Sequence, residues 1–295
     1  MRTHSNFFKT SDGEQILYST NFPIDFRTPH EKVVVFNYGL VCSNLHWKYQ
    51  LDWFHNVGFK ILWHDYRGHF QSSGAERLEH ITFARLADDI AELLAHLKIS
   101  RAATVGHSMG VNVTLELARR HPELVSAMVL ISGTTLPVKG VMFDNNLMEY
   151  VIPVAEEAMK KWRSAIDLLW STQAMNPLTL ELIHSQGFNK KRVGRDFIEI
   201  YMNRISQLGP DLFLQLFNQM QKHDILGHLD QVAQPALVIG GDLDRVIPFH
   251  LQRLLQQRLP NAELYLVKDG SHVPQTDFPE RVNERVKLFL DQHFS

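Results

Sequence analysis

A five-residue stretch, Gly106-His107-Ser108-Met109-Gly110, sets the tightest limit on how this chain can fold. Residues 101–105 before it read as a short buried strand, since Ala-Ala-Thr-Val is small or β-branched. After it, Val111, Leu115 and Ala118 recur at helical spacing until His121-Pro122 stops the run. A strand, a sharp turn and a helix in that order project the serine hydroxyl from a strained backbone, with glycines on both sides permitting close packing. Glycine and serine are also common in ordinary tight turns. It is the flanking strand and helix that make Ser108 a candidate nucleophile.

The rest of the chain repeats the alternation. Residues 7–20 read as a hairpin turning at Ser11-Asp12-Gly13, and residues 32–37, 59–64, 126–132, 235–240 and 263–268 read as strands. Residues 83–97 form an amphipathic helix pattern with Leu86, Ile90, Leu93, Leu94 and Leu97 on one side, and 281–293 close with another helix. This order predicts an α/β fold, a mostly parallel, doubly wound sheet covered on both faces. From 134 to 228 no strand pattern occurs; helical segments are expected around 147–170, 178–185, 192–208 and 211–221. Their apolar side chains are large, Met142, Phe143, Trp162, Trp170, Phe213 and Phe217 among them. The expected organisation is a core of residues 1–133 and 229–295, with 134–228 as a helical cap insertion over the sheet's C-terminal edge. There it would offer a greasy wall to a site beneath.

Composition removes several function classes. Thirty Lys and Arg nearly balance 32 Asp and Glu without forming a basic stripe, so no nucleic-acid partner is expected. Cys42 is the only cysteine, which excludes a disulfide within the chain and a thiolate zinc site. No histidine pair has zinc spacing with a third ligand nearby, and neither metal nor cofactor is expected. Residues 1–9 hold no apolar stretch of signal-peptide length, so a cytoplasmic protein is the expectation. Lys160, Lys161 and Arg163 beside Trp162 and Trp170 permit membrane contact, but a solvated helix face accounts for them as well. No motif speaks to oligomeric state.

A serine hydroxyl attacks only when a base takes its proton, and that base needs a third group to orient it. After the strand pattern at 235–240 comes a loop with two aspartates, Asp242 and Asp244; after 263–268 comes one with Asp269 and His272. Other histidines compete. His107 lies beside the nucleophile, where it suits packing or shaping a pocket, His64 and His69 flank the Asp65 loop, and His46 follows the first loop.

The order serine, acid, histidine resembles the α/β-hydrolase superfamily in its capped esterase- and lipase-like branch, and further motifs carry the likeness. Residues 65–73, Asp-Tyr-Arg-Gly-His-Phe-Gln-Ser-Ser, are similar to the family's D-x-R-G-x-G-x-S loop, with Phe70 where glycine is usual. Gly106–Gly110 matches the family's elbow, and His121-Pro122-Glu123-Leu124-Val125 with a strand after it is typical of the segment beyond the elbow helix. Gly270-Ser271-His272 is similar to the histidine loop. Gly241, Asp244 and Pro248 fit the family's acid pattern, so the resemblance assigns Ser108, Asp244 and His272 as a catalytic triad and leaves Asp242 and Asp269 as loop residues. Ser132-Gly133-Thr134, the alternative place for the acid, holds no carboxylate.

Developing charge on a substrate oxygen calls for backbone amides. One expected donor is Met109, next to the nucleophile; the resemblance gives Leu40 as the other, after Gly39, with Tyr38 where the family has histidine. Tyr38, Gly39 and His107 are the expected substrate-binding residues, and Cys42 reads as a small loop residue. The resemblance implies hydrolysis of carboxylic esters with apolar acyl or alcohol parts, a small-molecule substrate. Lactonases, C–C bond hydrolases, thioesterases and acyltransferases share the triad, and a ligand receptor on the same scaffold stays open. Dehalogenases and epoxide hydrolases of this fold carry aspartate at the elbow.

Overall fold

The computed structural model describes residues 1–25, 30, 32–40, 42–137, 142, 147–173 and 176–294. Phe143 of the sequence reading lies outside the described residues. The strands are β1 (His4–Lys9), β2 (Gln15–Thr20), β3 (Val33–Asn37), β4 (Lys60–His64), β5 (Ala102–His107), β6 (Val125–Ile131), β7 (Ala236–Gly241) and β8 (Ala262–Val267). They form one sheet in the order β1-β2-β4-β3-β5-β6-β7-β8. Strand β2 pairs antiparallel with both β1 and β4, and β3 to β8 are parallel. Buried on both faces, β3, β5 and β7 tolerate no exposed residue, which is why their sequences are continuous apolar or small runs.

Eleven α-helices cover the sheet among the described residues. Those of the sheet layers are α1 (Lys48–Asn56), α2 (Phe83–His96), α3 (Met109–Arg120), α9 (Phe249–Arg258), α10 (Pro274–Asp277) and α11 (Pro279–His293). Helix α2 packs on α3 and α1 on α11, while α9 lies against β7 and β8. This is the doubly wound architecture that the strand–helix alternation predicts. Strand order reverses between β3 and β5, and a crevice opens at such a switch point beyond the strands' C-terminal ends. The loops after β3 and β5 therefore meet there.

Between β6 and β7 the described residues contain helices and no strand: α4 (Leu147–Lys161), α5 (Arg163–Thr172), α6 (Pro177–Gly187), α7 (Arg195–Ile205) and α8 (Pro210–Lys222). The single helix expected over 147–170 is in fact two, broken at Trp162, which has φ −130° and ψ 42°. The bend turns α5 back onto α8: the Trp170 indole N–H donates to the Leu208 carbonyl and its ring lies 5.5 Å from Phe213. A salt bridge from Arg163 to Asp211 at 2.6 Å joins the same two helices. Local periodicity carries no sign of a break made by contacts this distant in sequence.

Candidate active site

Ser108 stands between β5 and α3 with φ 52° and ψ −120°, left-handed backbone that a non-glycine residue holds only under strain. Its neighbours explain the two glycines. A Cβ on Gly106 would sit 2.5 Å from the Gly110 carbonyl oxygen, and one on Gly110 2.2 Å from that of Asn37. Helix α3 can therefore lie directly against β3 and β5 only because both positions lack a side chain.

The Ser108 Oγ lies 3.1 Å from His272 Nε2, and His272 Nδ1 lies 3.0 Å from Asp244 Oδ2 and 3.2 Å from Oδ1. With Nδ1–H donated to Asp244, Nε2 is free to accept from the serine hydroxyl. Asp244 is held in turn: its Oδ1 accepts the amides of Val246 and Ile247, both at 2.9 Å. The structure thus brings together the three residues that the resemblance assigned, from loops after β5, β7 and β8. Asp242 and Asp269 are exposed and stay apart from the imidazole.

The remaining candidates fall in two groups. Met109 is the first residue of α3, where the helix leaves an amide without an internal acceptor. Leu40 sits in a turn closed by the Cys42 amide on the Gly39 carbonyl at 3.1 Å, and it lines the same cavity as Ser108. His107 also lines that cavity; its Nε2–H donates to the His272 carbonyl at 2.9 Å and its ring stacks on His46 at 4.3 Å. Burial holds His107 well below the usual histidine range and pulls His46 down to about 3, so both are neutral; they act through packing, the bond to the His272 carbonyl, and a bond from the Gln275 side-chain amide to His46 Nε2 at 2.6 Å. Gly39 packs behind Ser108, where a Cβ would meet the serine's own at 3.1 Å.

Tyr38 does not line the cavity. Its side chain is fully buried against Tyr66, with the hydroxyl accepting the Tyr66 amide at 3.0 Å and the Tyr66 hydroxyl donating to the Tyr38 carbonyl at 3.3 Å. The tyrosine pair braces the loop after β3 from the side of the Asp65 loop.

That second loop is structural as well. Arg67 is buried between Asp89, at 2.6 Å, and Asp12, at 2.9 Å, which fastens the loop to α2 and to the first hairpin. Phe70, in place of the family's glycine, takes φ 46°. Left-handed backbone costs a side-chain-bearing residue about 1–2 kcal/mol. The ring's packing on the core and the Arg204 guanidinium, 5.5 Å from its centre, offset that cost.

The cavity at Ser108 has a volume of about 320 Å³. The segment between β6 and β7 supplies most of its wall, its helices contributing Trp170, Ile183, Tyr201, Ile205, Phe213 and Met220. Gln173 and Gln186 are the polar side chains those helices add besides Tyr201. No motif marks these residues in the sequence, since each is one of many apolar or amide positions on an amphipathic helix. Cys42 lies in the same wall with Sγ 3.0 Å from the Tyr201 hydroxyl; burial pushes its thiol up to about 11, far from a reactive thiolate. A larger and more polar hollow, about 510 Å³, lies between the Asp65 loop and the ends of α7 and α8, without a nucleophile–base pair in its wall. Among the described residues no three His, Cys, Asp or Glu side chains are grouped to hold a metal, and no helix is long and apolar enough to cross a membrane.

Comparison with known proteins agrees with the fold. The candidate carbamate hydrolase RutD of Rhizobium rhizogenes is 26% identical over 265 residues, covering 89% of this chain and 94% of its own. The uncharacterized hydrolase YugF of Bacillus subtilis is 26% identical over 230 residues, covering 75% and 77%. Among solved structures, the esterase EaEST of Exiguobacterium antarcticum superposes with TM-score 0.78 at 18% identity, over 98% of this chain and all of its own. A bromoperoxidase of Bacillus anthracis gives the same TM-score at 21% identity and the same coverage. The family profile described as alpha/beta hydrolase fold matches residues 32–279, and the chain belongs to that family.

Proposed function

We propose that the protein is a serine hydrolase that cleaves carboxylic esters with apolar acyl or alcohol groups. One observation carries this reading: the Ser108 hydroxyl, the His272 imidazole and the Asp244 carboxylate stand in hydrogen-bond contact at the wall of an apolar cavity. Ser108 Oγ attacks the ester carbonyl carbon as its proton passes to His272 Nε2, and Asp244 stabilises the imidazolium. The amides of Leu40 and Met109 hold the oxyanion. Collapse breaks the bond to the alcohol, which leaves with the proton from His272, and an acyl-Ser108 ester remains. His272 then takes a proton from water, whose oxygen attacks the acyl carbon; the acyl–serine bond breaks as His272 returns the proton to Ser108 Oγ, and the carboxylic acid leaves. The helices between β6 and β7 serve as a cap that shields these steps from bulk water.

The cavity's composition supports an apolar substrate over a small polar one such as a carbamate, because Trp170, Phe188, Phe213 and Met220 offer few partners for buried polar groups. Its volume is at the lower end for small-molecule sites, which suits medium acyl chains over long ones. The test is a series of chromogenic esters from acetyl to dodecanoyl, with a carbamate alongside, for wild type and Ser108→Ala. Turnover peaking at medium chains and falling by about 10⁴-fold or more in the variant is expected. No ester turnover by the wild type overturns the reading.

A further inference from the structure

Asp277, the last residue of α10, is a buried carboxylate that the proposed steps do not use. Its Oδ2 accepts the Ser271 amide at 2.6 Å and its Oδ1 the Asn189 amide at 3.2 Å. Among the described residues it forms no ion pair; the charged group that faces it is Asp244, another carboxylate. An uncompensated buried charge is costly, so its two amide bonds must return much of that cost. Asparagine could not replace it evenly, because one of its two terminal atoms is a donor and would face an N–H.

These bonds lie on either side of the imidazole's own residue. Ser271 immediately precedes His272, and the Ser271 hydroxyl donates to the Gly187 carbonyl at 3.1 Å. The Asn189 side chain donates to the Asp269 carbonyl at 2.8 Å. Three hydrogen bonds thus run between the turn at residues 187–189, where α6 ends, and the stretch from Asp269 to Asp277 that carries His272. His107 also holds the carbonyl of His272, at 2.9 Å. The same turn places Gly187 and Phe188 in the cavity wall.

We propose that Asp277 is a positioning residue that clamps the His272 loop to the turn at 187–189, so that the seating of the helical segment on the sheet sets the aim of the imidazole at Ser108. The proposal rests on the serine-hydrolase reading of the site. Opening or shifting that segment then loosens the base as well as uncovering the cavity.

The experiment measures phosphonylation of Ser108 by a fluorophosphonate, in which Oγ bonds to phosphorus and fluoride leaves, in wild type, Asp277→Asn and Asn189→Ala. This rate reports activation of the serine without depending on which ester is natural. Asp277→Asn is expected to react about tenfold more slowly, since small misplacements of a catalytic group cost that much or more. With an ester that the wild type cleaves, kcat falls in parallel while KM stays within about twofold. Asn189→Ala, which keeps the amide bond to Asp277 but removes the side-chain bonds to the Asp269 carbonyl and from the Lys191 amide, gives a smaller fall of the same kind and carries the test should Asp277→Asn not fold. A lower melting temperature with an unchanged reaction rate in the folded variants overturns the clamp and leaves the triad standing. A wild type that does not react at Ser108 overturns the triad reading itself.

Discussion

The sheet and the outer helices of the segment between β6 and β7 dispose of apolar side chains in opposite ways. Every residue of β5 is buried, whereas α5 has no fully buried residue and exposes Leu168 and Leu169 by about two-thirds. Leu178 at the start of α6 is 81% exposed, and Tyr150, Val154, Trp162 and Leu182 are exposed as well. A parallel strand needs neighbours for its hydrogen bonds and helices on both faces, so it is stable only in the interior. A helix satisfies its own backbone and can lie on the surface, apolar towards the cavity and apolar outward. The lesson is a division of labour. The sheet ends carry the Ser108, His272 and Asp244 contacts, and the helical segment shapes the cavity, with α7 and α8 burying Ile198, Leu216 and Phe217 beneath it while α5 stays at the surface.

The largest effect expected to test this contrast is acid unfolding. His46, His64, His69 and His107 all lie in the sheet half, fully buried, and burial pulls the first three down to about 3, 3 and 4 and the fourth well below the usual range. An unfolded histidine binds a proton near pH 6.5 and these folded ones do not, so their stability is complete above pH 6.5 and is lost as pH falls. At pH 5 each of the first three costs about 2 kcal/mol, and His107 adds in the same direction. Asp65, raised to about 6 by burial, works the other way and returns about 1 kcal/mol at that pH. The sum is comparable to the whole stability of a domain. Thermal melts from pH 7.5 down to 5 should show Tm collapsing below pH 6.5; a flat profile would mean that the core histidines are open to solvent.

Next in size is a pair of glycine substitutions. Gly110→Ala forces a Cβ onto the Asn37 carbonyl and should lose about 3 kcal/mol, lowering Tm by roughly 6–12 °C or preventing soluble expression. Gly187→Ala, at the end of α6 with nothing within 4 Å of the added carbon, should keep or raise Tm, by up to about 1 kcal/mol of stability. Equal losses at the two positions would erase the distinction between the halves. The smallest effects belong to the outward leucines. Leu168→Ser, Leu169→Ser and Leu178→Ser should each change stability by about 0.5 kcal/mol or less in denaturant melts, and a larger loss would show that this face is covered in solution.

Much of the fold is legible in the residues. The parallel strands coincide with their apolar or β-branched runs to within a residue or two, as β3 and β7 illustrate. Helices α1 and α9 are less visible: both place polar residues, Gln50 and Gln252, on the buried side, so their apolar stripe is interrupted. Gln50 bonds the Gln275 carbonyl and Asn283, and Gln252 the carbonyls of Gly133 and Ile247, partners that a local pattern does not reveal. At the candidate site, Ser108, Asp244 and His272 stand out because each lies in a short motif after a strand. Asp277 and Asn189 lie in no such pattern.

What the sequence by itself determined is what short range can encode: the strand–helix alternation, the strained elbow, and loops bearing an acid and a histidine after later strands. Backbone propensity and the period of burial act over a few residues, so they are written there. Only the tertiary structure decided that α4 and α5 part at Trp162, that Tyr38 braces Tyr66 and stays out of the cavity, and which faces of α5 to α8 line it. It alone joined Asn189 to Asp277, 88 positions apart. Such contacts follow from close packing among elements far apart in the chain, and no single segment carries them.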